Sequence, residues 1–176
     1  MIEGDGVRLR RADPGDADFL VELLADDDVA PFLARVTPAN RDEVLAEIER
    51  SQTEPEEFGR FVIEVEDGGW SRAGLMGFEL RNRRNRIAFL HRLAVHPDFR
   101  GRRVADRAAR LFQRHLILDL GFHRLELEVY GFNERAMAHA ERSGFVREGA
   151  KRRAYLYDGE WVDGVLFGLT REDLEA

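Results

Sequence analysis

Along the chain, apolar residues switch repeatedly between the two-residue period of a strand and the three-to-four-residue period of a helix. Val7 to Arg11 alternates apolar and polar positions and predicts a first strand, after which Asp13-Pro14-Gly15-Asp16 supplies turn and N-cap chemistry for a short helix through Leu24. Thr37-Pro38 reads as an N-cap and N1 pair, and Val44, Leu45 and Ile48 lay an apolar stripe on a second helix ending near Ser51. Phe58 to Glu66 is strand-like and Asp67-Gly68-Gly69 is a tight turn. Ala73 to Arg81 and Arg86 to Val95 are two further strands of a meander, joined by Asn82-Arg83-Arg84-Asn85. Gly101 to Leu120 carries Val104, Ala108, Leu111, Phe112 and Leu116 at helical spacing, with Gly121 as its C′ residue, and is the longest predicted helix. Leu125, Leu127 and Val129 then alternate with Glu126 and Glu128 on a strand, and Asn133 caps a helix that stops at Gly144. Ala154 to Tyr157 and Trp161 to Leu169 flank Asp158-Gly159, a hairpin turn. The predicted order is β-α-α-β-β-β-α-β-α-β-β, an α/β chain whose mixed sheet carries packed helices.

Composition narrows what this architecture can do. The 176 residues fit one domain, 1–176, large enough to bury a full core. There is no Cys, which removes disulfides, thiolate nucleophiles and Cys-based zinc sites together. The five His residues (His91, His96, His115, His123, His139) show no metal-ligand spacing, so no metal is expected. The start lacks an apolar signal region and no stretch reaches membrane-span length, which predicts a soluble cytoplasmic protein with no membrane partner. The formal net charge is −7, and Lys151 is the only lysine beside a large excess of arginine. Nucleic acid is not an expected partner: Arg100, Arg102, Arg103, Arg107, Arg110 and Arg114 form no uninterrupted face, Asp106 and Asp119 intervene, and the charge is negative. Asp26-Asp27-Asp28, Glu43, Glu47, Glu49, Glu54, Glu56 and Glu57 make the N-terminal third acidic. Such a region is either a solvated face or a rim that attracts a protonated amine.

The most informative segment runs Leu93-Ala94-Val95-His96-Pro97-Asp98-Phe99-Arg100-Gly101-Arg102-Arg103-Val104-Ala105. An apolar strand stops at Pro97 and a basic, Gly-containing turn opens into the long helix. A helix start leaves about four N–H groups without intrahelical acceptors and carries roughly half a positive charge, so it favours an anion. Arg100, Arg102 and Arg103 add cations beside those donors, which suits a pyrophosphate. This run resembles the acetyl-CoA signature of the GNAT superfamily of N-acyltransferases, (Q/R)-x-x-G-x-(G/A). The resemblance implies acetyl-CoA as cosubstrate and two splayed central strands. It also implies that Leu93 and Val95 offer backbone groups to pantetheine and that the amides from Arg102 through Ala105, after Arg100 and Gly101, cradle the pyrophosphate. One departure stands out: Arg103 occupies the middle-glycine position, so its side chain must point outward or add a phosphate contact.

Asn133-Glu134-Arg135-Ala136, then Ser143-Gly144-Phe145 and Glu148-Gly149, are similar to the family's N-x-x-(A/S) helix and following strand, and the resemblance gives Asn133 a cofactor or water contact as an alternative to its N-cap role. The run from Arg152 to Leu174 resembles the branch that contains the ribosomal-protein N-acetyltransferases RimJ and RimL. The implied activity is transfer of an acetyl group to a primary amine, such as a peptide N-terminus, a polyamine or an aminoglycoside, by direct attack in a ternary complex. A non-catalytic acyl-CoA-binding or sensor module of the same fold is the alternative. An alkylammonium needs a base to take its proton. Leu127-Glu128-Val129 with Asn133 is similar to an arrangement in N-terminal acetyltransferases whose glutamate is proposed as the base, which makes Glu128 the favoured residue, with Glu79 and His91 as runners-up. The family's usual acid, a Tyr seven residues after the motif Asn, is Ala140 here, leaving Ser143, Tyr155 or Tyr157. The C-terminal hairpin is a candidate homodimer contact.

Overall fold

Alternating side chains on a strand can feed two cores at once, and β3 (Phe58–Glu66) does so: Phe61, Ile63 and Val65 enter one cluster and Val62 the other. The computed structural model describes residues 1–33 and 37–175. Around β3 lie β1 (Ile2–Gly4), β2 (Val7–Arg11), β4 (Trp70–Asn82), β5 (Ile87–Val95), β6 (Arg124–Tyr130), β7 (Val146–Tyr157) and β8 (Glu160–Thr170). The eight strands form one mixed sheet in the order β1-β2-β3-β4-β5-β6-β8-β7, and only β5 and β6 run parallel. On one face α3 (Val104–Arg114), the turn that continues it over His115–Asp119, and α4 (Glu134–Arg142) cover Phe61, Phe78, Leu125 and Phe167 through Phe112, Leu116 and Ala140. On the other, α1 (Ala17–Leu24) and α2 (Arg41–Thr53) cover Val62, Leu75 and Ala94 through Leu20 and Ile48. No helix of the described residues is long and apolar enough to cross a membrane.

The expected elements are present, with differences at several ends. A short β1 precedes the first predicted strand, turned back by Asp5 and Gly6, both at positive φ as a two-residue hairpin requires. Helix α2 is capped by Asn40, not Thr37: the Asn40 side chain accepts the Glu43 N–H at 3.0 Å, and Asp42 and Glu43 follow in the first turn, where the helix field favours anions. The long helix begins at Val104 rather than Gly101, because Gly101 (φ +76°) and Arg103 (φ +54°) both take left-handed backbone in the turn before it. It continues as a π-type turn over His115–Asp119 before Gly121. The last hairpin is longer than the pattern predicts, because β7 starts at Val146, and a short α5 (Arg171–Glu175) closes the chain.

Two bulges shape the sheet where the chemistry is expected. On β5, His91 faces Gly77 and Ala94 faces Leu75, so Arg92 and Leu93 together oppose Met76, with Arg92 at φ +60°. On β7 the register breaks between Lys151 and Tyr155, with Arg153 at φ +49°.

Candidate active site

The β5–β6 ladder holds only Ile87 to Arg124, Ala88 to Leu125 and Phe89 to Glu126. Beyond it the strands part, and the bulge at Arg92 bends β5 away. Because the His96 N–H donates to Ala73 on β4 at 2.8 Å, the alternation of a strand turns the N–H and C=O of Val95 and Leu93 to the opposite, splayed edge. The Val95 carbonyl there accepts from Arg100 Nε at 2.9 Å, and the rest of this edge, where the resemblance places pantetheine, has no strand partner among the described residues.

The splay leads into the turn before α3. The first bond of that helix runs from the Arg107 N–H to the Arg103 carbonyl at 3.2 Å, so the amides of Val104, Ala105 and Asp106 have no intrahelical acceptor. The arginines of the turn serve differently from one another. Arg100 is spent inside the protein: its Nε donates to the Val95 carbonyl at 2.9 Å and its two terminal nitrogens to Asp28 and Asp26, each at 2.7 Å. It locks the turn to the loop after α1 and holds the Asp26 carboxyl below its ordinary range. Its Nε and both terminal nitrogens thus have protein partners, unlike those of Arg103. Arg102 forms a half-exposed pair with Asp67 at 3.1 Å. Arg103 is exposed and its side chain makes no hydrogen bond or ion pair among the described residues. Its left-handed backbone explains why a glycine suits the position, and its side chain points outward as one of the two expected arrangements requires. These residues fit a pyrophosphate through amides and one free guanidinium rather than three.

The face of the sheet that carries α1 and α2 is left open over β6, β8 and β7, and Glu128 lies there. Its Oε1 accepts the Tyr155 hydroxyl at 2.5 Å and its Oε2 accepts the Lys151 ammonium at 2.8 Å. The Glu128 side chain is 11% exposed, so it is neither a solvated surface group nor a core one. Gly164 makes this posture possible, since a Cβ there would sit on the Glu128 carboxylate and 2.6 Å from Tyr155 Cε2. The carboxylate raises the Lys151 pKa; for Tyr155, burial comes first and Glu128 adds to the rise.

The other predicted catalytic groups separate clearly. His91 accepts from Arg60 at 3.1 Å through Nδ1, which must be the unprotonated nitrogen because guanidinium has no acceptor. Burial, then the charges of Arg60, Arg92 and Arg50, push His91 down to about 2, so it stays neutral and is too weak a base for an ammonium proton. Glu79 faces Phe89 across the ladder and is half-buried, and its side chain makes no hydrogen bond or ion pair among the described residues. Asn133 acts as an N-cap, its Oδ1 accepting the Ala136 N–H at 3.1 Å. Ala140 is core, Ser143 Oγ is buried without a partner, and the Tyr155 hydroxyl is committed to Glu128.

Sequence reasoning missed an aromatic group beside Glu128. Tyr130 stacks on Phe132 at 5.4 Å and meets Tyr155 edge-on at 5.6 Å, while Tyr157 lies 4.5 Å from Phe132. Phe32, after α1, reaches the same group at 6.0 Å from Phe132. The signal was the pair of i, i+2 aromatics, 130/132 and 155/157; the second pair shares one face of β7, and Phe132 follows the end of β6 in the turn. The acidic N-terminal third also reads differently. Asp26 and Asp28 bind Arg100, Glu47 binds Arg60 and Arg92, and Glu54 and Glu57 bind Arg50 and Arg83, so much of that charge is neutralised internally.

With this geometry in place, comparison with known proteins is informative. Residues 7–146 match the family model of the acetyltransferase (GNAT) domain. The chain is 28% identical over 172 residues, 98% of its length and 94% of the relative's, to the SPbeta prophage-derived uncharacterized N-acetyltransferase YokL of Bacillus subtilis (strain 168). Among solved structures it superposes on the spermidine N-acetyltransferase of Vibrio cholerae in complex with CoA and spermine, with a TM-score of 0.85 at 20% identity, covering 97% of this chain and 99% of that one. A probable acetyltransferase aligns with a TM-score of 0.80 at 22% identity over 96% of this chain and 95% of the other.

Proposed function

The chain belongs to the GNAT acetyltransferase family, and from that membership we propose that this acetyl-CoA-dependent N-acetyltransferase acetylates a cationic primary amine by direct attack in a ternary complex. Acetyl-CoA supplies an activated acetyl thioester. The observation that carries the reading is the sequestered Glu128 carboxylate, on the open face flanking the β5–β6 splay and holding a primary ammonium at 2.8 Å. The amides at the start of α3 and the Arg103 guanidinium hold the phosphates, and the edge of Leu93 and Val95 holds the pantetheine arm. The Val95 N–H donates to the carbonyl oxygen as negative charge grows there. Glu128 binds the acceptor ammonium and takes its proton, freeing the lone pair for attack. A thiol pKa near 8.5 lets the sulfur leave without a dedicated acid, consistent with Ala140 at the usual Tyr position.

The acceptor classes are polyamines, peptide N-termini and aminoglycosides. Membership in the ribosomal-protein branch would favour peptide N-termini; the carboxylate beside four aromatic rings favours an alkylammonium, by ion pairing and cation–π attraction. A panel of all three, scored by acetyl-CoA-dependent thiol release, tests the reading. We expect turnover with aliphatic amines and a fall of at least about 10²-fold in kcat/KM for Glu128→Gln, the size of a general-base contribution. An unchanged rate and pH profile in that variant overturns the assignment of the base. For oligomeric state, Leu156 and Trp161 are cross-strand neighbours, 60% and 62% exposed, on the last hairpin, and we propose this surface as the dimer contact to be checked by sedimentation.

A further inference from the structure

Lys151 is the only lysine of the chain, and its ammonium is the same chemical group as an aliphatic acceptor. It occupies the Glu128 carboxylate at 2.8 Å. The pair is asymmetric: the Glu128 side chain is 11% exposed and the Lys151 side chain 43% exposed. The carboxylate therefore belongs to the fold, held down over Gly164 and hydrogen-bonded by Tyr155, whereas the cation reaches it from solvent. Lys151 also sits on the sheet's edge strand at the last register position before the β7 bulge, so its partnership with β8 ends there. Tyr155, which donates to the carboxylate, meets the Tyr130 ring at 5.6 Å, and Tyr157 lies 5.7 Å from Tyr130, so the carboxylate borders an aromatic group of the kind an alkylammonium prefers.

We propose that Lys151 is a tethered occupant of the acceptor's ammonium site, an internal competitor that must leave Glu128 before an amine can bind there. The proposal rests on the function proposed above and adds to it a specificity device: cationic acceptors compete with Lys151, and a neutral molecule of the same length has nothing with which to displace it. A partly exposed ion pair is weak enough to exchange with a free amine. Removing the lysine charge then exposes the site rather than damaging it. Lys151 is thus a specificity-determining residue, and its effect falls on acceptor binding more than on turnover.

A single lysine allows a direct test on the wild-type chain. Reductive ¹³C-methylation labels Lys151 and the N-terminal amine, and retains both charges. Adding 1,4-diaminobutane in the absence of acetyl-CoA should move the Lys151 signal saturably, while the N-terminal signal stays in place and 1-butanol or matched NaCl moves neither. In turnover assays, Lys151→Met should lower KM for 1,4-diaminobutane several-fold with kcat within about twofold, and Lys151→Arg, which restores a cation, should return KM toward the wild-type value. A Lys151 signal unmoved at saturating diamine, or a KM raised by Lys151→Met in a folded protein, overturns the proposal. Loss of acetyl transfer to every amine tested would refute the proposed function instead, and the resonance titration still decides the site of Lys151.

Discussion

Arg103 offers a perturbation whose two readouts should move in opposite directions. It sits at φ 54°, ψ 28° at the N-cap of α3. A non-glycine residue in left-handed backbone costs about 1–2 kcal/mol, and glycine returns about 0.5–1 kcal/mol of that through its freer unfolded chain. A cation at a helix start is unfavourable by about 0.3–1 kcal/mol, and glycine is an accepted N-cap. Arg103→Gly should therefore stabilise the unliganded protein by about 1 kcal/mol, which for a chain of this size raises Tm by about 2–4 °C. CoA binding should weaken. Arg103 is exposed, so an ion pair with phosphate contributes up to about 1 kcal/mol, and its loss raises Kd by up to about fivefold. Arg103→Ala separates the two effects, because it removes the charge and keeps the strained backbone: its Kd should match that of Arg103→Gly while its Tm gain stays smaller. Differential scanning calorimetry and calorimetric titration with CoA read both quantities. A lower Tm for Arg103→Gly refutes the strain argument, and an unchanged Kd shows that the guanidinium does not meet the phosphates.

Two further substitutions test the surrounding face. His91 is depressed to about 2 in the folded protein against an ordinary value near 6.5, so below pH 6.5 the unfolded chain takes up a proton that the folded chain refuses. The stability its neutral form contributes is complete above about pH 6.5 and is lost as pH falls, by about 1.4 kcal/mol per unit. His91→Gln keeps an acceptor for Arg60 and should flatten urea-derived stability between pH 6.5 and 4.5 relative to wild type; parallel curves would disprove the assignment. Gly164→Ala drives a methyl into Glu128 and Tyr155, and overpacking of this kind costs about 1–3 kcal/mol. It should raise the acceptor KM and leave the Kd of CoA unchanged, and the reverse pattern would place Glu128 away from the acceptor.

Local periodicity made most of this fold legible, because nearly every element is long enough to carry two or more turns or alternations of apolar residues. What it missed has physical reasons. Three residues are too few to display a period, so β1 went unseen although Asp5-Gly6 marks its turn. A bulge inserts residues without altering composition, so neither Arg92 on β5 nor Arg153 on β7 looks different from its neighbours. Both determine the site: one opens the splay, and the other ends the pairing of the strand that presents Lys151. The aromatic group was written in the sequence as two pairs of alternating rings, but their meeting depends on β6 and β7 standing either side of β8.

Charge pairing was the least legible property, and it changes what the basic turn can do. Arg100 finds Asp26 and Asp28 more than 70 residues away, a distance no local pattern spans. Once Arg100 is neutralised there and Arg102 leans on Asp67, the three-arginine turn reduces to one guanidinium without a partner among the described residues, on the residue whose backbone is strained. Of the six non-glycine residues at positive φ among those described, four are arginine (Arg86, Arg92, Arg103 and Arg153), so the excess of arginine reaches into positions where glycine or asparagine is the cheaper choice. At two of the others the side chain has protein partners, Arg86 donating to the Leu120 and Gly121 carbonyls and Arg92 pairing with Glu47. At Arg103 strain and charge coincide beside free helix amides, and a substitution that relieves the first must give up the second. That opposition is what makes the position informative about the cofactor site, since an arginine tolerated by accident would show the gain in stability without the loss in affinity.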